Sequence, residues 1–402
     1  EWISYASTPF TRTLHVPTIR SPMLQCRAMN GKPTDIRVSD CRLYLLPIET
    51  RVPLKFGNAT LTSVICARAC VTVETRDGRH VEGWGETPLS VQWVWPSEVP
   101  YREREEALVA LARRMTREWS RIRVVGHPME IGSWFLDHAL EDVLAEFNQA
   151  TRAGSEPVPH LAGLVAASPF DIAVHDAFGV AHGVATYETY SGEYMNSDLS
   201  AYLPDDEGVR FTGRYPADFL ESPSNPQIPA WHLVGGKDRV SPEELDGSEP
   251  DDGYPVLLGD WIARDGLRCL KIKLTGTDAE WDYDRLRSVG EIAMEGEVDW
   301  LTADFNCQVR DPAYVTKTLD RLKDESPRLY GMLLYVEQPF PYDLEAHPID
   351  VHAVSARKPL FMDESAHDWR IVRRGFGLGW TGVALKTCKT QTGALLSLSW
   401  AK

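Results

Sequence analysis

The chain has 402 residues, 43% hydrophobic and 25% charged, the balance of a folded globular protein with room for two domains. Its formal net charge of −16 excludes a protein held to nucleic acid by phosphate contacts. No apolar run is read as approaching the roughly 20 residues a membrane span needs, and no signal-peptide pattern opens the chain, which begins at Glu1.

Residues 1–35 carry several prolines and little periodicity and are read as an extended arm. The seven cysteines, Cys26, Cys41, Cys66, Cys70, Cys269, Cys307 and Cys388, are odd in number and scattered, which predicts reduced thiols and a cytoplasmic protein. Residues 36–165 read as an α+β capping domain. "CRLYLLPIET" and "SVICARACVTVET" alternate as strands, and Asp77-Gly78 is a hairpin signal returning into "VEGWGE". Cys66 and Cys70, four apart on one strand, share a face and read as a packed pair; zinc would need more ligands nearby. Helices are predicted over 101–119, 132–147 and 168–183, the last entered at Ser168-Pro169.

Residues 166–402 read as a (β/α) barrel domain with an insertion at 205–255. That insertion is rich in Pro, Gly, Asp and Ser and reads as a covering loop, a neutral insertion or an oligomer contact. From residue 256, helical and strand patterns alternate, as a parallel sheet or barrel requires. Strands are expected near 198–203, 269–274, 300–304, 332–337, 360–363 and 382–386. Six strands are fewer than the eight of a closed barrel, so the fold is expected to be a TIM-type barrel truncated after its sixth strand, with the natural protein continuing beyond Lys402.

In "CLKIKL" the alternation puts Lys271 and Lys273 on one strand face and Leu270, Ile272 and Leu274 on the other. Later strands end at Asp304 and Asn306, at Glu337, at Asp363 and Glu364, and at Lys386. From Lys273 the steps are 31, 33, 26 and 23 residues, each about one βα unit, so these groups meet at the C-terminal mouth where barrel active sites sit. Asp304, Glu337 and Asp363 would repel one another if unpaired, and a hard dication such as Mg²⁺, or Mn²⁺, resolves that. Three carboxylates and the ion sum to about −1, able to take a substrate carboxylate and hold the enolate derived from it. Lys273 is the expected base, its pKa lowered by neighbouring Lys271 in a desolvated mouth, and Lys386 faces it from across the ring. Lys389 competes for the role of Lys386, and Glu364 for that of Asp363. Asn306 reads as a hydrogen bonder in the site, Trp93 and Trp95 as cap-lining or core residues, His367 as a loop residue, and His175 and His182 as structural.

The set "KIK" (271–273), "DFN" (304–306), "EQP" (337–339), "DES" (363–365) and "LK" (385–386) resembles the enolase superfamily, in its muconate-lactonizing subgroup within the mandelate racemase/muconate lactonizing enzyme family. "PLKFG" and "GWGE" are similar to that family's capping domain, and "DIAVHDAFGVAHG" to the helix before its barrel. The resemblance implies a Mg²⁺ site at Asp304, Glu337 and Asp363, Glu364 beside it, and Lys273 with Lys386 as the acid/base pair. Lys386 argues against the mandelate-racemase subgroup, which uses a His-Asp pair instead.

The expected activity is proton abstraction α to a carboxylate, with racemisation or epimerisation of an amino-acid or dipeptide-like acid favoured by two opposed lysines. Cycloisomerisation, or a β-elimination of the o-succinylbenzoate synthase kind, would use the same groups. A non-catalytic binding protein on this scaffold and a Schiff-base aldolase are the rivals, and the aldolase leaves three carboxylates unexplained. The expected partner is a small carboxylate, and a homo-oligomer is expected.

Overall fold

The computed structural model describes residues 31–56, 59–205 and 209–402, so Cys26 and most of the expected arm lie outside the described residues. Strands β1 (Ile36–Phe56), β2 (Ala59–Thr75) and β3 (His80–Pro88) form an antiparallel sheet in that order. Gly78 takes φ +84° at the predicted hairpin. Alternation sorts the sheet's faces. Ala67, Ala69, Val71 and Val73 are fully buried on one, while Arg68 pairs with Glu86 at 2.5 Å on the other. Cys66 and Cys70 are both buried, and all six described cysteines are free thiols.

Helices α1 (Val91–Val94), α2 (Tyr101–Ser120), α3 (Pro128–His138), α4 (Leu140–Thr151) and α5 (His160–His182) follow. The single helix expected over 132–147 is two, because the chain breaks at Ala139 (φ −126°), and α3 starts earlier on a capping box of His127 and Glu130. Helix α5 begins before Ser168-Pro169, which lie inside it. The fully or nearly buried run Leu161–Ala167 offsets the cost of an internal proline, about 3 kcal/mol. This continuity makes α5 long and apolar enough to cross a membrane by composition, contrary to the expectation of no such run. However, 83% of its apolar window is buried inside the molecule, as in a core helix. A Cβ at Gly83 or Gly85 of "GWGE" would lie 2.2 or 2.1 Å from α5 backbone, so only glycine lets β3 approach it.

The second half alternates β4 (Trp231–Val234), α6 (Leu258–Asp265), β5 (Cys269–Lys273), α7 (Ala279–Glu295), β6 (Trp300–Asp304), α8 (Pro312–Glu325), α9 (Pro327–Met332), β7 (Leu333–Glu337), α10 (His352–Ser355), β8 (Leu360–Met362), α11 (Trp369–Gly377), β9 (Gly382–Val383) and α12 (Gln391–Ala401). Six parallel strands pair in sequence order, β4 to β9, as the wall of a TIM-type barrel. Leu270, Ile272, Leu301, Ala303, Val336 and Met362 point outward into a core shared with Leu286, Val289 and Leu319 of the helices.

The first strand departs from expectation. Residues 198–203 hold a short 3₁₀ turn, Leu199–Ala201, entered where Asp198 accepts from the Ser200 amide; an Asp two residues before a Ser favours such a local turn over a strand. The strand is instead "WHLV", inside the segment read as an irregular insertion. That segment also docks on the cap: Arg51 of β1 makes two bonds to Asp252, at 2.6 and 2.7 Å, and Lys55 accepts from the Gly236 amide at 2.9 Å.

Candidate active site

Strand register builds the site. Lys273 lies opposite Asp304, and Asp304 opposite Glu337, each the last residue of its strand. The two-residue period that sends Leu270 and Ile272 into the helices turns Lys271 and Lys273 into the barrel. Lys271 Nζ donates to Glu337 Oε1 at 2.6 Å and lies 3.0 Å from Asp304 Oδ2, which also accepts from Lys273 Nζ at 2.5 Å. Across the mouth, Lys386 Nζ donates to Asp363 Oδ2. Lys389 Nζ donates to the carbonyls of Asp363 and Ala366 and lies 3.3 Å from Asp363 Oδ1. Asp304, Glu337, Asp363 and Glu364 are at most 3% exposed, and four lysines balance these four carboxylates.

Ammonium groups facing carboxylates set the electrostatics of the mouth. Burial alone would lower the pKa of Lys271, but Asp304 and Glu337 outweigh it and push the ammonium above its ordinary range. Lys386 is treated likewise: burial opposes, Asp363 prevails, and its pKa is raised. Lys271 lowers the pKa of Lys386, but the carboxylates that each ammonium faces outweigh such repulsion. Asp363 is held below the usual carboxylate range despite burial, by Lys386, Lys389 and Lys271. Asp304 is likewise low despite burial, through Lys271 and Lys273. Glu337 goes the other way, raised to about 8 by burial and by repulsion from Asp304, which Lys271 only partly offsets.

The cap supplies a roof. Lys273 Nζ sits 5.8 Å from the Phe56 ring centroid, and Lys386 and Lys389 Nζ lie 4.9 and 5.8 Å from the Trp93 ring. Trp93 Nε1 donates to Glu364 Oε1 at 2.9 Å, and Asn306 Nδ2 donates to the same oxygen at 3.3 Å. Gln338 is the middle residue of "EQP". Its Oε1 accepts from the amides of Asp363 (2.7 Å) and Ser365 (3.1 Å), and its Nε2 donates to Ser365 Oγ (2.8 Å), tying the β7 end to the β8 loop. Lys389, weighed only as a substitute for Lys386, anchors Asp363 and its loop.

Asp304, Glu337 and Asp363 face the same interior, but among the described residues no three His, Cys, Asp or Glu side chains stand ready to hold a metal ion. Each carboxylate is turned to a lysine instead. The donor set nevertheless fits a hard divalent ion: three buried carboxylates from successive strands, one raised by burial and by repulsion from the others. Glu364 Oε2 and Asn306 Oδ1 are buried and find no hydrogen-bond partner among the described residues.

Residues 257–391, the stretch that holds every one of these strand-end groups, match the family model described as enolase C-terminal domain-like. That stretch of the chain is thus similar to the C-terminal domain of enolase-type proteins. Solved structures share the fold across the cap as well. A dipeptide epimerase from Cytophaga hutchinsonii, complexed with Mg and D-Ala-L-Val, is 15% identical over 91% of this chain and 76% of its own, with a TM-score of 0.54. A mandelate racemase/muconate lactonizing protein from Herpetosiphon aurantiacus is 16% identical over 92% and 80%, with a TM-score of 0.54. An enolase from Bradyrhizobium, complexed with magnesium and mandelic acid, is 18% identical over 90% and 78%, with a TM-score of 0.52. No curated protein matches the chain. The buried lysine and carboxylate network lies at the strand ends within the stretch that matches the family model.

Proposed function

We propose that the protein is a Mg²⁺-dependent enzyme that takes the proton α to a substrate carboxylate and returns one there, racemising or epimerising an amino-acid or dipeptide-like acid. One observation carries this reading: a row of buried carboxylates lies between two lysine groups, Lys271 and Lys273 on β5 and Lys386 and Lys389 after β9. Two amines on opposite sides of one carbon allow removal from one face and delivery to the other. The fold shared with a dipeptide epimerase complexed with Mg and a dipeptide supports the choice.

Asp304, Glu337 and Asp363 are the residues that would hold the ion, which supplies Lewis-acid stabilisation of charge developing on the substrate carboxylate. Lys273 and Lys386 exchange protons with the α-carbon. Lys271, already bridging Asp304 and Glu337, adds positive charge beside the carboxylate-binding position. Lys273 and Lys386 must release their carboxylate partners to act as bases, so proton transfer begins with a redistribution of these ion pairs. Phe56 borders Lys273 and Trp93 borders Lys386, so an aromatic face lies beside each lysine group.

The test is α-deuterium incorporation in D₂O with Mg²⁺, read by NMR over a panel of N-acyl amino acids and dipeptides. Exchange is expected in the parent protein, lost with chelator, and reduced roughly 10²- to 10⁴-fold in K273A or K386A. Unchanged exchange in both variants would sink the two-base scheme. A ring-closed or eliminated product in place of the epimer would assign the same groups to cycloisomerisation or β-elimination.

A further inference from the structure

A cavity of about 950 Å³ lies away from the mouth, walled by the end of β1, the segment after β4, and helices α6 and α7. No lysine or carboxylate of the candidate active site lines it, and its size suits a small organic molecule. Arg285 of α7 is in its wall, yet only 7% exposed. Its Nη2 donates to the carbonyls of Gly235 at 2.6 Å and Asp238 at 2.9 Å. Its Nε is buried without an acceptor, and among the described residues no carboxylate pairs with the guanidinium. Burial works against that charge, and Glu244 and Asp238 offset it only in part. The acids of the wall are already engaged. Asp238 accepts from the Gly235 amide at 2.8 Å, Glu244 from the Val240 amide at 2.7 Å, and Glu249 from Arg239 at 3.1 Å, while Asp284 lies 3.5 Å from Arg287. A buried guanidinium with no ion-pair partner is costly to keep, and its fork geometry matches one planar carboxylate. The neighbouring acids set a limit of one negative charge, since a dianion would meet their repulsion. The rings of Trp261 and Trp281 stand in the same wall, the latter 6.0 Å from Arg285 Cζ, and offer flat apolar faces.

We infer that this cavity is a second ligand site, apart from the mouth, that takes an aromatic monocarboxylic acid, with the carboxylate on Arg285 and the ring against Trp261 and Trp281. Lys237, exposed in the same wall and without a carboxylate partner among the described residues, adds positive charge nearby. The wall joins Arg51 and Leu54 of the cap to Trp261 and Arg285 of the barrel, so one occupant touches both domains. The site goes beyond the proposed function and does not rest on it.

The experiment is calorimetric titration of the full chain in Mg²⁺ buffer with indole-3-acetate, and with indole-3-acetamide, which keeps the shape but lacks the charge. The acid is expected to bind roughly 10- to 100-fold more tightly, the worth of one hydrogen bond to a charged group. R285M should weaken the acid by a similar factor. S288W, from a half-buried α7 position in the wall, should fill the cavity and abolish binding, and it decides the matter if R285M fails to fold. Chelator and K273A should leave the affinity unchanged. Equal affinity for the two ligands, binding of neither, or an affinity untouched by S288W overturns the inference. So does binding that needs Mg²⁺ or is lost in K273A, which would place the ligand in the mouth. Displacement by inorganic phosphate would make this a general anion site and overturn it as well. Lysine-dependent α-exchange would leave the proposed function standing in each of those cases.

Discussion

Two buried polar networks lie on either side of the junction between cap and barrel, and they are resolved in opposite ways. Where α5 meets α12, Asp171 accepts from the amide and hydroxyl of Thr392 at 2.9 and 2.8 Å. His175 joins Thr392 Oγ1 at 3.0 Å and Tyr190 OH at 2.9 Å, and Gln391 reaches the same Tyr190 hydroxyl. None of these side chains keeps a buried atom without a partner among the described residues. At the mouth, equally buried groups are charged, repel one another and leave two acceptors unserved. A network whose groups are all paired fixes one geometry, whereas repelling charges leave a cluster that a counter-charge can rearrange. Burial alone does not separate a structural cluster from a chemical one.

The sharpest challenge to this contrast is Lys389, which belongs to the mouth yet is bonded like a structural residue. K389M leaves two carbonyls and one face of Asp363 unpaired, and we expect a loss of about 3–5 kcal/mol in urea unfolding. A loss under 1 kcal/mol would show that Lys386 alone suffices. Next comes D171A, which strips the Thr392 amide and hydroxyl of their acceptor. About 2–3 kcal/mol should go from stability, with α-deuterium exchange per folded molecule unchanged. An exchange defect at constant stability would erase the distinction between the networks.

The smallest effect is on pH. Burial lowers the pKa of His127, His160 and His175, and takes His367 from 6.5 down to about 4. In the unfolded chain such histidines take up protons below about pH 6.5. Folded, His367 resists until about 4, so between these values the unfolded state binds more protons and stability falls as pH falls. Urea midpoints should decline from pH 7 to pH 5. H367N should flatten that slope by at most ~1.4 kcal/mol per pH unit. A slope unaltered by the substitution would show that His367 titrates normally.

Much of the site was legible because parallel strands repeat. Lys273, Asp304 and Glu337 close their strands within one register, so spacing alone carried their meeting place. What escaped notice had no period to betray it. "WHLV" is four residues between irregular stretches, too short to show alternation. Ser168-Pro169 mimicked a helix start because a local entry signal cannot reveal the apolar packing that carries α5 through it. Trp93 stands alone after a strand, and only the closed cap shows that its indole reaches Glu364. Lys271 neighbours Lys273 in sequence, while in space its nearest charges are the carboxylates of Asp304 and Glu337, which no local pattern announces.

Strand β1 runs 21 residues, a reach of roughly 70 Å if straight, with its pairing to β2 shifted between Val38 and Asp40 and between Glu49 and Leu54. At one end Ile36 exchanges both backbone bonds with Gly126; at the other Lys55 grips Gly236, and Phe56 lies under the Lys273 ammonium. The backbone is thus a lever with both ends fastened. A load hung on its far end, whether a fused domain or an antibody, would pull on the segment that sets the aromatic ring beside the amine.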